Sequence, residues 1–225
     1  MSLPQIQAPI YELKLPSNGK KIKFRSFLVK EEKLLMIANE TGEEEERLTA
    51  VSQIINNCTF GKLNAREMAV FDVEYLFLQL RAKSVGETVE IKVLCPDDKK
   101  SYADVTVNIE DIKCSKPKKD ANIIKLDETV GIILKYPTID SSADTIIGAL
   151  RDSIESIFDL ETVFNTSDFS EEEITQFIES MTQKQLMKVV DFFENIPKVK
   201  LKVEVINPNT KVKSEVELEG LNSFF

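Results

Sequence analysis

The sequence predicts an α+β fold: three β-hairpins, at about 10–28, 88–109 and 199–219, with a layer of five to six helices. Three observations predict it. Apolar residues alternate with polar ones in paired runs, each pair separated by turn residues. Between those runs the apolar spacing changes to threes and fours, the helical period. Two Ser/Thr capping boxes stand directly in front of apolar helical runs. Of the 225 residues, 42% are hydrophobic, enough for a buried core and against wholesale disorder.

Residues 1–9 carry Pro4 and Pro9 and are expected to form an extended arm. Tyr11, Leu13 and Leu15 then alternate with polar residues, Pro16-Ser17-Asn18-Gly19 turns, and Ile22 and Phe24 alternate back. From Val29 the period changes, and Leu34, Leu35, Ile37 and Ala38 predict a helix ending near Thr41-Gly42. A second helix opens at Glu43 to Glu46 and carries Leu48, Val51, Ile54, Ile55 and Cys58 on one side. Its glutamates suit the positive end of the helix dipole; a basic partner or a cation is the alternative account of them.

A third helix is expected over 64–83, apolar nearly all round and therefore buried or at an interface. Phe71, Tyr75 and Leu78 are expected to be nearly fully buried against the hairpins or the helix at 44–58. Val89, Ile91 and Val93 alternate before Cys95-Pro96-Asp97-Asp98, and Tyr102, Val105, Val107 and Ile109 return. Residues 113–120 read as a basic loop, Ile123 to Leu126 and Ile132 to Tyr136 as short strands, and 142–158 as a helix. The capping boxes Ser170/Glu173 and Thr182/Gln185 then start a tight helical hairpin closed by Pro197. Val199, Leu201, Val203 and Val205 alternate, Asn207-Pro208-Asn209-Thr210 turns, and Val212, Val216 and Leu218 complete the last hairpin. The expected organisation is an arm (1–9), a single α+β domain (10–219) with a candidate division near 113–122, and an apolar C-terminal tail (220–225).

Composition narrows the function. The chain holds 29 Lys+Arg against 38 Asp+Glu, a formal net charge of -9, which argues against a nucleic-acid partner. It has no histidine, so Ser-His-Asp triads, Cys-His dyads and histidine-ligated metals are excluded. Cys58, Cys95 and Cys114 form no C-x-x-C, and their odd number fits a reducing compartment. The N-terminus lacks the pattern of a signal peptide, and no apolar run is long enough for a membrane span. Gly19-Lys20 and Gly61-Lys62 lack the upstream glycine of a phosphate-binding loop, and no serine sits in a nucleophile elbow. No catalytic residue, cofactor or metal is therefore expected; a carboxylate- or thiol-dependent enzyme is the less favoured alternative.

The second and third hairpins echo each other. Ile91-x-Val93-x-Cys95-Pro96-x-x-Lys99 aligns with Val203-x-Val205-x-Asn207-Pro208-x-x-Lys211. A Cys-Pro-x-Cys turn at each tip would make a zinc knuckle, but the four positions here are Cys95, Asp98, Asn207 and Thr210, a poor ligand set. A zinc ribbon that has lost its metal and two ordinary Pro-containing hairpins both fit, the second being the simpler. The second and third hairpins are expected to lie side by side, since one alone is marginal.

Several segments together resemble a known family. They are Leu15-Pro16-Ser17-x-Gly19-Lys20, Phe24-Arg25-x-Phe27-Leu28-Val29-Lys30-Glu31-Glu32-Lys33, Asp72-x-Glu74-Tyr75-Leu76-Phe77-Leu78 with Arg81-x-Lys83-Ser84-Val85-Gly86-Glu87, Phe192-Phe193-Glu194-x-Ile196-Pro197 and Gly220-Leu221-x-x-Phe224-Phe225. In order and spacing, from about residue 9 to the end, the chain resembles the baseplate hub subunit and hub-assembly proteins of T4-like tailed bacteriophages. The resemblance implies a late, structural or chaperone-like tail-assembly protein, located in the virion tail baseplate and in the host cytoplasm during assembly. Its implied partners are other baseplate hub proteins and the tape-measure protein, in an oligomeric or complexed state, with no enzymatic activity. It carries no residue-level site.

Two groups are candidate partner-binding residues. Leu221, Phe224 and Phe225 follow Gly220, and they either fold into the protein's own core or anchor it to a partner. Arg81 and Lys83 end the third helix, where they either complement its dipole or meet an acidic partner; the first is favoured because basic last turns are common.

Overall fold

Alternation and helical period both carry through to the three-dimensional structure. The computed structural model describes residues 6–141 and 145–220. In chain order the described elements are β1 (Ile10–Lys14), β2 (Lys21–Arg25), α1 (Val29–Thr41), α2 (Glu44–Cys58), α3 (Val70–Ser84), β3 (Thr88–Leu94), β4 (Tyr102–Asn108) and β5 (Lys113–Cys114). There follow β6 (Ile123–Lys125), β7 (Gly131–Leu134), α4 (Ile146–Ser153), β8 (Ile154–Phe158), β9 (Val163–Asn165), α5 (Glu171–Glu179), α6 (Gln183–Glu194), β10 (Val199–Ile206) and β11 (Lys213–Glu219). The fold is α+β, and the three hairpins β1–β2, β3–β4 and β10–β11 are antiparallel, at the expected places. The chain forms two units: it leaves the first after Lys116 and returns to it at Lys198.

The first unit is organised around α3. Phe71, Val73, Leu76, Phe77, Leu78, Leu80 and Ala82 are all buried, which is why this helix can afford no polar face. Tyr75, expected to be buried with them, is half-buried. The helix also starts at Val70 rather than 64, after a 3₁₀ turn at Ala65–Glu67 capped by the Asn64 side chain. Leu78 and Ala82 share a core with Val89, Ile91 and Val93 of β3 and with Val199, Val203 and Val205 of β10. The second and third hairpins thus meet through their apolar faces, while their strands belong to different sheets. β10 also pairs with β5, a short strand inside the expected basic loop. On the first hairpin, Asp72 accepts a hydrogen bond from the Ser17 amide at 3.0 Å, and Ser84 Oγ accepts one from the Phe27 amide at 2.7 Å. The turn and the exit of β1–β2 are therefore both tied to α3.

The second unit is a four-stranded antiparallel sheet, order β6-β7-β8-β9, with α4, α5 and α6. Its core joins Ile132, Leu134, Leu150 and Ile154 to Ile174, Ile178, Val189 and Phe192. Both capping boxes form as the sequence predicts: Ser170 and Thr182 accept from the amides of Glu173 and Gln185, whose side chains accept from the cap amides in return. The helix expected over 142–158 is corrected. α4 stops at Ser153, whose hydroxyl turns back to the Ala149 carbonyl at 2.7 Å, and 154–158 pair with β7 as a strand. Gly131 lies opposite Phe158, where a Cβ would fall 2.2 Å from the ring; only glycine lets the ring lie across the strand.

Candidate functional site

Two arrangements concentrate polar chemistry in the first unit, and a cleft rich in phenylalanine lies in the second. The first arrangement is at the tips of β3–β4 and β10–β11. The two turns share one backbone pattern: Lys99 and Lys211 both adopt left-handed φ, 53° and 62°. Their amides donate to the Cys95 and Asn207 carbonyls, each at 3.0 Å. The sequence echo is therefore also a structural one.

At three of the four knuckle positions, Asp98, Asn207 and Thr210, the side chains make hydrogen bonds. Asn207 Nδ2 donates to Asp97 Oδ1 at 2.9 Å, and the Thr210 hydroxyl donates to Asp97 Oδ2. Asn209 Nδ2 reaches across to Ser101 Oγ at 2.8 Å. Sequence reasoning singled out Asp98, but that carboxylate caps its own turn by accepting from the Lys100 and Ser101 amides. Asp97 is the bridging group, and the position of its pairing residues over 100 positions away gave no local signal. Hydrogen bonds from Asn207 and Thr210 hold the Asp97 pKa below the usual carboxylate range. Replacing Asp97 with alanine is expected to lower the thermal midpoint clearly, whereas Asp104→Ala on the exposed side of β4 leaves it unchanged; equal midpoints would show that the tips are not coupled through Asp97.

The second arrangement is an ion pair under α1. Glu31 is fully buried and accepts from both Arg25 terminal nitrogens, at 3.2 and 3.0 Å, and from the Leu28 amide at 2.9 Å. That last bond gives α1 its N-terminal cap, since Leu28 has no side-chain oxygen of its own. Burial acts to raise the Glu31 pKa, but the Arg25 and Leu28 hydrogen bonds outweigh it and the net shift is downward. Cys58 Sγ accepts a weak contact from Arg25 at 3.7 Å.

The three thiols are poorly activated. Burial pushes the Cys58 thiol up to about 11 and the Cys114 thiol up to about 12, and it raises Cys95 as well, so all three are protonated at neutral pH. Burial also raises Asp72, partly offset by its bonds from Ser17, and this group holds the first turn. Among the described residues no group of three His, Cys, Asp or Glu side chains is placed to hold a metal. Nor is any described helix long and apolar enough to cross a membrane.

Of the sequence-predicted partner-binding residues, Lys83 lies 2.9 Å from Glu87 and 3.0 Å from Glu110. The hydrogen bonds that Lys83 donates to these two acids raise its pKa. Arg81 is half-buried, and burial lowers its pKa. The two side chains thus differ in surroundings despite sharing a helix end. Leu221, Phe224 and Phe225 lie outside the described residues.

In the second unit a cleft of about 580 Å³ opens between β8–β9 and α5, lined chiefly by Ile157, Phe158, Phe164, Phe169, Ile174 and Phe177. Asp159 and Glu173 stand at it among the phenylalanines. Sequence reasoning missed this cleft because Phe158, Phe164 and Phe169 follow no single period; they come together through a strand turn and a 3₁₀ turn at Thr166–Asp168.

Comparison with protein families matches residues 8–225 to the family described as T4 bacteriophage base plate protein. No curated protein and no solved structure matches the chain.

Proposed function

The chain belongs to the T4 bacteriophage base plate protein family, and from that premise we propose that it is a non-enzymatic structural or assembly protein of the baseplate hub, acting through protein–protein contacts during tail assembly. The observation that carries this reading is the extent of the match, which takes in both units rather than one grafted module. The geometry supports it: the polar clusters described above are turn caps, tip bridges and a helix cap, and the thiols are suppressed by burial. Its partners in this reading are other hub proteins and the tape-measure protein, met in the host cytoplasm and retained in the virion tail.

A second form of the same reading is a transient chaperone that holds a hub or tape-measure protein and is absent from the mature virion. Quantitative mass spectrometry of purified virions against infected lysate separates the two. A fixed copy number per virion is the expected result, and depletion from virions would establish the transient role.

Within this function Leu221, Phe224 and Phe225 are proposed to be a partner anchor, an apolar group with two aromatic side chains after Gly220. Deleting residues 221–225 is expected to leave the thermal midpoint of the isolated protein unchanged and to abolish co-purification with other hub proteins. A collapsed midpoint would instead assign the phenylalanines to the protein's own core. Arg81 and Lys83 are lesser candidates for partner contact.

A further inference from the structure

We propose that the cleft beside β9 is the docking site for a basic, aromatic-bearing segment of a partner protein, whose apolar side chains enter among the phenylalanines while its lysines or arginines face the acidic surround. The proposal deepens the assembly reading by naming the chemistry of a partner, and it rests on three observations in the second unit.

The cleft is apolar and open. Phe164 and Phe169 remain 36% and 41% exposed, with ring centroids 6.2 Å apart, and β9 and its turn add Val163 at 59% and Leu160 at 76%. Exposed apolar residues gathered in this way mark interaction surfaces in soluble proteins.

β9 is an edge. It pairs with β8, and among the described residues no further strand pairs with its other side. Edge strands are commonly blunted by lysine or proline, but Val163-Phe164-Asn165 has neither. A segment lying along this edge would place alternate side chains into the cleft.

The charge identifies the occupant. Residues 117–197 hold 7 Lys+Arg against 16 Asp+Glu, whereas the rest of the chain holds 22 of each, so the second unit carries the whole net charge. Between residues 152 and 179 there are 9 acids and no Lys or Arg. Asp159 and Glu173 bring that charge to the cleft itself. Residues 221–225 hold no Lys or Arg, so this acidic surround offers them no charge attraction. A second copy would present an equally acidic unit. A basic segment is attracted, and its lysines would also speed encounter.

The test uses the full chain and a fluorescein-labelled peptide of alternating phenylalanine/valine and lysine, read by anisotropy. Three unlabelled competitors accompany it: a twin with glutamate for lysine, a twin with alanine for the apolar residues, and a peptide of residues 221–225. The labelled peptide is expected to bind, and to be displaced at least tenfold less effectively by each competitor than by its own unlabelled form. Asp159→Asn with Glu173→Gln removes charge but keeps the acceptors that cap the local turns, at Glu161, Thr162 and Ser170. This pair is expected to weaken binding several-fold and to flatten its salt dependence. Phe164→Ser with Phe169→Ser is expected to weaken it at least tenfold. Equal competition by the alanine twin would show charge adhesion without a site. Equal competition by the 221–225 peptide would make the tail the occupant, and unaltered binding in both double variants would place any site elsewhere. Each of these outcomes overturns the proposal while leaving the virion mass spectrometry, and so the assembly reading, untouched.

Discussion

Phe77→Ala is expected to destabilise the isolated protein by about 3–5 kcal/mol, measured by urea titration. The ring is fully buried on α3, with its centroid 5.8 Å from that of Phe27. Truncation removes the transfer free energy of the ring and leaves a cavity that α3 cannot close, because the helix is packed on several sides. Phe71→Ala, also nearly fully buried, is expected in the same range. Tyr75→Ala should cost less, because that side chain is half-buried and less of it leaves water on folding. A loss below about 1 kcal/mol at Phe77 would show α3 to be peripheral. The measurement also bears on the first hairpin: Phe27 follows β2 directly, so losing Phe77 should loosen the exit of that hairpin as well.

Glu31→Ala is expected to cost about 3–5 kcal/mol, the range for stranding one partner of a buried pair. The variant leaves the Arg25 guanidinium, whose side chain is 13% exposed, without its bidentate acceptor. It also removes the acceptor of the Leu28 amide at the start of α1. Replacing both partners with apolar residues, Arg25→Met with Glu31→Leu, should recover much of the loss, since the charges then no longer need each other. The pair also predicts a pH dependence. The Glu31 pKa is lowered in the folded protein, so the unfolded chain takes up the proton first as pH falls. The stabilisation is therefore fully present above the ordinary glutamate value of about 4.3 and is lost as pH falls through the lower, folded value. Glu31→Gln should lose this part of the acid dependence, so the wild-type stability curve should begin to approach that of the variant near about pH 4 and meet it only below the lowered, folded Glu31 value. Parallel curves would show that Glu31 does not titrate in this window.

Both large effects concern residues whose type was readable in the sequence but whose role was not. Phe77 belongs to a helix that is apolar all round, so burial somewhere was required. Glu31 sits in the first turn of α1, where an acid is ordinary, and its full burial follows only from Arg25 arriving from β2. The cleft phenylalanines were equally visible as residues and equally silent as a site.

The sequence by itself determined the local structure wherever one period or one cap was unopposed. The three hairpins follow from alternation about turn residues, and α5 and α6 begin at capping boxes complete within four residues. Tertiary structure decided the rest, where two local solutions were close in free energy or where partners lay far apart. Leu150, Ile154, Ile157 and Phe158 suit a helical stripe, while Ile154-Glu155-Ser156-Ile157 also suits a strand. Pairing with β7, and the Phe158 ring lying across Gly131, tipped the balance to the strand. Likewise Asp97 and Asn207 form the bridge between the hairpin tips only because α3 and two apolar faces bring those tips together. A hydrogen bond spanning 110 positions depends on that packing, and no local propensity encodes it.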